Sequence, residues 1–135
     1  MPIIGSSFDK ISVERKGKLS REDEIKNNVN IKSLEPTKMS IGPTEKDALK
    51  IFFEFNVSYG KAGKLDLSGT VLYLDSEENI KEISNSWKKS QKMSSEFGAY
   101  VYNFVIHKCS LKALQLESDI GFPLHIILPE VKVKK

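Results

Sequence analysis

Between Leu49 and Tyr73 the chain alternates apolar and polar residues on either side of a short turn, and this pattern leaves few folds open. Leu49, Ile51, Phe53, Phe55, Val57 and Tyr59 occupy every second position, with Lys50, Glu54, Asn56 and Ser58 between them. Successive side chains of a strand point to opposite faces, so the spacing predicts a strand with one buried and one polar face. Only Phe52 breaks the polar side. Gly60-Lys61-Ala62-Gly63 has the chemistry of a hairpin turn. Leu65, Leu67, Gly69, Val71 and Tyr73 then line one face of a returning strand, while Leu72 and Leu74 put apolar bulk on the other. Upstream, Phe8, Ile11 and Val13 give residues 7–16 a looser alternation suited to a first strand, and a charged link follows over 20–24. A second strand starts at Ile25, is interrupted at Pro36, resumes at Met39 and Ile41, and closes at Gly42-Pro43-Thr44. About four strands in a mostly antiparallel sheet account for this half.

Helical signals take over after Tyr73. Asp75 is placed to cap a short helix with Glu78 at its third position, and Ile80, Ile83 and Trp87 share one side of it. A longer helix is expected from Ser95 or Glu96 to about Glu117. Phe97, Tyr100, Val101, Phe104, Val105, Leu111 and Leu114 fit one helix face. Nearly opposite, Ala99, Tyr102, Ile106, Cys109, Ala113 and Leu116 step by three and four, the narrow seam helices use against other helices. One stripe can cover the sheet and the other needs a partner: the short helix offers one within the monomer but has only Ile80, Ile83 and Trp87 for the whole seam, so self-association through the long helix is the expectation. Gly121 ends the helical region, and 122–133 is expected to be an extended segment kept at a sheet edge or outside it by Pro123 and Pro129. The fold class expected is α+β: a four-stranded antiparallel sheet packed by a long helix in the C-terminal half, in one domain spanning 1–135.

The sequence offers no reacting groups in a catalytic arrangement. Gly60, Gly63 and Gly69 lie in a hairpin or a strand, so none opens a helix as a phosphate loop does. His107, Cys109 and His125 lack metal-ligand spacing, and the acidic runs Glu22-Asp23-Glu24 and Glu77-Glu78 suit a solvated link and a helix start. No enzyme activity, cofactor or metal is expected. The net charge of +3 comes from 21 basic and 18 acidic residues, of which Arg15 and Arg21 are the only arginines. Only Lys132, Lys134 and Lys135 cluster, which argues against nucleic acid as a partner. The single cysteine and the absence of an export signal or a membrane-length apolar run point to a reducing, cytoplasmic setting. Function is expected to reside in binding.

The second half resembles a known family. Gly98-Ala99-Tyr100, Asn103, Phe122-Pro123 and Pro129 fall at spacings similar to the long helix and following segment of the bacterial export chaperone SecB. The match covers the last quarter to third of the chain, and the preceding strands agree with SecB in pattern. The resemblance implies a holdase, an oligomer that keeps unfolded clients soluble in apolar grooves without ATP. It assigns the Ala99 to Leu116 seam to packing between subunits, as a dimer or tetramer. Candidate peptide-binding residues are those apolar side chains expected to stay exposed: Phe52, Leu72, Leu74, Trp87, Met93 and Tyr102. SecB proteins continue into another helix and a zinc-carrying tail and are strongly acidic; with a net charge of +3 and no Cys or His near Lys135, docking on a translocation motor is not expected here. The inserted short helix has no counterpart in the family, and the Lys-rich composition and opening Met1-Pro2-Ile3-Ile4-Gly5 resemble archaeal sequences. The competing expectation is a structural or assembly protein that binds one dedicated folded partner through the same fold.

Overall fold

A computed structural model describes residues 3–18 and 24–122. Within them the chain forms β1 (Ile3–Arg15), β2 (Lys26–Ile41), β3 (Thr44–Ser58), a 3-10 turn at Gly60–Ala62, β4 (Gly63–Leu74), α1 (Glu77–Ser90) and α2 (Ser95–Ile120). The strands make one antiparallel sheet in the order β1-β4-β3-β2, so the fold is α+β with its long helix in the second half. The central pair is the predicted hairpin. Leu49 faces Tyr73, Ile51 faces Val71, Phe55 faces Leu67 and Val57 faces Leu65. All eight of these side chains are almost fully buried, and at roughly 1.5–3 kcal/mol for each large apolar side chain they form the main stabilising block.

Phe53 pairs with Gly69 rather than with a second side chain. A Cβ on Gly69 would lie 2.1 Å from the Ser7 carbonyl oxygen and 2.9 Å from the Phe53 ring. The glycine therefore allows β1 to approach closely, and Phe8 packs edge-on against Phe53 with ring centroids 6.1 Å apart. The register of β1 shifts at this point, between Phe8 and Lys10, and again between Ile3 and Gly5. The bulge after Phe8 explains the loose alternation of the first strand, and pairing with Tyr73 starts that strand at Ile3, ahead of the 7–16 expected. Likewise β2 runs unbroken through Pro36, because an edge strand can place the missing N–H on its open side.

Both helices begin on a serine. Ser76, not Asp75, caps α1 by accepting from the Asn79 N–H, and Asp75 instead accepts from the Ser76 N–H at 2.7 Å. Ser94 caps α2 by accepting from the Phe97 N–H. At the far end Gly121 turns left-handed at φ 74°, and the Phe122 N–H closes on the Glu117 carbonyl at 2.9 Å. Residues 20–23 of the expected charged link and 123–133 of the expected extended segment lie outside the described residues.

The faces of α2 differ from the two stripes expected. Its buried residues are Phe97, Val101, Val105, Cys109, Ala113 and Glu117, at a strict spacing of four. Each such step overshoots a full turn by about 40°, so the buried ridge winds roughly 200° around the helix from Phe97 to Glu117. Cys109 and Ala113 are fully covered within the chain, whereas Leu111, assigned to the core stripe, is 71% exposed. A straight helical wheel cannot represent a helix lying across a twisted sheet. Along β1 the helix is tied by three polar contacts. The Ile3 N–H donates to Tyr100 Oη at 3.2 Å, Lys108 Nζ donates to the Ser6 hydroxyl and lies 5.4 Å from the centroid of the Phe8 ring, and Arg15 Nη1 donates to the Ile120 carbonyl at 2.8 Å.

Candidate functional site

The helices lie on the face of the sheet that carries Phe53, Phe55 and Tyr73, because the core joins these residues to Ile80, Phe97 and Val101. Among the described residues, no element covers the opposite face. Ladder pairing places Phe52 with Thr70 and Ser33, Leu74 with Ala48, and Met39 with Lys46 on that face, with Leu72 diagonal to Phe52. Phe52, Leu72 and Leu74 are each partly exposed. This half of the face therefore carries partly exposed apolar side chains, with the exposed Lys50 standing among them opposite Leu72 and Glu35. The other half is charged and internally matched: Lys32 Nζ sits 2.6 Å from Glu54 Oε2, and Asn56 Nδ2 donates to Asp66 Oδ1 at 2.6 Å. Its hydrogen bond to Lys32 holds the Glu54 carboxyl below its ordinary value.

The remaining candidate residues lie elsewhere. Trp87, on α1, and Met93, in the link to α2, are partly buried against the core on the helical side. Tyr102 is on the outer side of α2, 36% exposed, near Ile106 at 39% and the exposed Ala99. The six proposed peptide-binding residues thus fall on three surfaces rather than in one groove. The proposed seam also divides: Ala99, Tyr102 and Ile106 face outward, Leu116 is half-buried against the core, and Cys109 and Ala113 are interior. Burial pushes the Cys109 thiol up to about 12, so it is neutral and inert near neutral pH.

Two arrangements had no clear signal in the sequence. The first is a buried polar contact at the end of α2, where the Tyr59 hydroxyl donates to Glu117 Oε2 and both residues are 0% exposed. Phe122 packs on Tyr59 with ring centroids 4.3 Å apart, and the Arg15 guanidinium lies 5.7 Å from the Phe122 centroid. Burial first, and then the adjacent Glu117, push the Tyr59 phenol above its ordinary range. Glu117 follows the apolar ridge at the same four-residue spacing, which is the one hint the sequence holds.

The second is an open cleft of about 290 Å³ between α1, the start of α2 and the end of β4. Ile83, Met93, Phe97 and Tyr73 form its apolar walls, and Asp75 and Glu82 stand among its polar residues. Asp75 accepts from the Tyr73 hydroxyl at 2.7 Å, the Ser76 N–H at 2.7 Å and the Asn79 side chain at 3.0 Å. Slight burial raises the Asp75 carboxyl, but these donors outweigh it and hold the group below its ordinary value, so it is ionised at neutral pH. No helix among the described residues is long and apolar enough to cross a membrane.

No family model matches the sequence, and no curated protein matches it. Among solved structures, the SecB-like chaperone Rv1957 of Mycobacterium tuberculosis, in complex with a ChAD peptide from Rv1956 HigA1 antitoxin, is similar to this chain at a TM-score of 0.47 and 10% sequence identity, covering 99% of this chain and 92% of that one.

Proposed function

We propose that this protein is an ATP-independent holdase that binds apolar segments of unfolded or nascent polypeptides on its surface, in the cytoplasm and as an oligomer. The observation that carries this reading is the group of apolar side chains on the uncovered sheet face. Phe52, Leu72 and Leu74 remain partly exposed there beside Ala48 and Met39, although both helices pack on the other side. Large apolar side chains grouped on an uncovered sheet face, with only Lys50 among them, mark an interaction surface. Aromatic and aliphatic side chains in a row accept varied sequences, since their contacts are not directional. The resemblance of Gly98-Ala99-Tyr100, Asn103, Phe122-Pro123 and Pro129 to SecB supports the same reading. Self-association is assigned to the outward residues of α2, namely Ala99, Tyr102 and Ile106.

The test is aggregation of a chemically denatured model client, followed by light scattering without ATP. Wild-type protein at equal concentration should suppress it. Leu72→Asp should remain folded, because Leu72 lies on the open face, and should lose most of the protection. A wild-type chain that gives no protection, or a Leu72→Asp variant that protects equally well, would overturn the proposal.

A further inference from the structure

The cleft between α1 and α2 has an unbalanced charge. Asp75 and Glu82 line it, and among the described residues no Lys, Arg or His does, in a chain whose net charge is +3. Among the described residues, the donors that hydrogen-bond to Asp75 are neutral, from Tyr73, Ser76 and Asn79. Glu82 forms no ion pair among the described residues, although Lys81 beside it pairs with Glu77 at 2.9 Å. Between these carboxylates and the core lie Ile83, Met93 and Phe97, which give the cleft an apolar wall. An anion would be repelled from such a site, and a neutral apolar molecule would cover two carboxylates without replacing their water. A positive charge on an apolar stem satisfies both halves. The volume, about 290 Å³, is at the small end of the range for ligand sites, which is roughly 300–1,000 Å³.

We propose that this cleft binds a small amphipathic organic cation, an ammonium on an apolar stem, with the charge at Asp75 and Glu82 and the stem against Ile83, Met93 and Phe97. The site is separate from the polypeptide-binding surface proposed above, since it lies on the helical side of the sheet. It does not depend on holdase activity.

Calorimetric titration of the full chain at low salt, with 2-phenylethylammonium as the probe and 2-phenylethanol as its neutral counterpart, tests the assignment. The cation should bind at least about tenfold more tightly than the alcohol, a difference of 1.4 kcal/mol. Its affinity should fall as salt is added. Glu82 is exposed, so Glu82→Gln should keep the fold, confirmed by circular dichroism, and weaken the cation by a similar factor. Met93→Lys, which brings a tethered ammonium to the cleft, should abolish binding, whereas Glu78→Gln, on the same helix but outside the cleft, should leave it unchanged. Equal affinity for probe and alcohol, no binding of the cation at millimolar concentration, or an unaltered affinity in Glu82→Gln would each overturn the proposal. Client protection measured on Glu82→Gln keeps the two sites distinguishable, because it should match wild type.

Discussion

Replacing Ala113 by Leu asks directly which side of α2 faces the sheet. Ala113 is 0% exposed and sits in the ridge that runs from Phe97 to Glu117. A leucine there adds three carbons where no free surface exists, and overpacking of this kind costs about 1–3 kcal/mol. With an unfolding entropy of roughly 2.1 cal/mol/K per residue, each kcal/mol is about 3–4 °C of Tm in a chain of this length, so the melting temperature should fall by about 4–11 °C. The control is Leu111→Ala. Leu111 is 71% exposed, and its truncation should stay within about 0.5 kcal/mol, or some 2 °C. Thermal melts followed by far-ultraviolet circular dichroism at two protein concentrations, with native mass by light scattering, would measure both. If Ala113→Leu melts like wild type and increases the mass, residue 113 faces a partner and the winding of the buried ridge is wrong. A loss of more than about 2 kcal/mol in Leu111→Ala would refute it from the other side.

Stability should decline at alkaline pH. Tyr59 and Tyr73 have phenols raised above their ordinary range by burial, and Cys109 has a thiol pushed up to about 12. Each holds its proton more tightly when folded, so its contribution is intact below the unfolded value and is lost as pH rises past it, from about pH 9 for the thiol and about pH 10 for the phenols. Denaturant midpoints at pH 8 and 10.5 should show the fall, and Tyr59→Phe should reduce it while costing about 1.5–3 kcal/mol at pH 7 for the lost bond to Glu117; a flat profile would contradict the burial of these groups. Ser84→Ala should raise stability by about 1 kcal/mol, read as a shift in the urea midpoint, because the Ser84 hydroxyl is buried without a hydrogen-bond partner among the described residues and alanine is the better helix former. A destabilised Ser84→Ala would mean the hydroxyl has a partner, such as an ordered water.

The candidate site was only partly legible from residues. That Phe52, Leu72 and Leu74 share a face follows from period two, because β3 and β4 pair across a short turn that sets their register. That Trp87, Met93 and Tyr102 lie elsewhere could not follow from composition, since each belongs to a helix or a link whose orientation depends on packing. The cleft was hidden for the same reason. Its lining comes from four separated stretches, Tyr73 with Asp75, the face of α1 around Glu82, Met93 with Ser94, and Phe97, and no spacing rule links them. Tyr59 and Glu117 are 58 positions apart, and a glutamate near a helix end reads as solvated until the Tyr59 hydroxyl is seen reaching it.

By itself, the sequence determined the strands from Leu49 to Tyr73, the turn between them, the two helices and their order, because strand alternation, glycine turns and helical periodicity act within a few residues of each other. Only the tertiary structure decided which residues of α2 are interior. Helical periodicity says that a helix has an apolar side; the twist of the sheet beneath it rotates that side along its length, taking in Cys109 and Ala113 and leaving out Leu111. The twist accumulates over four strands and belongs to no single segment.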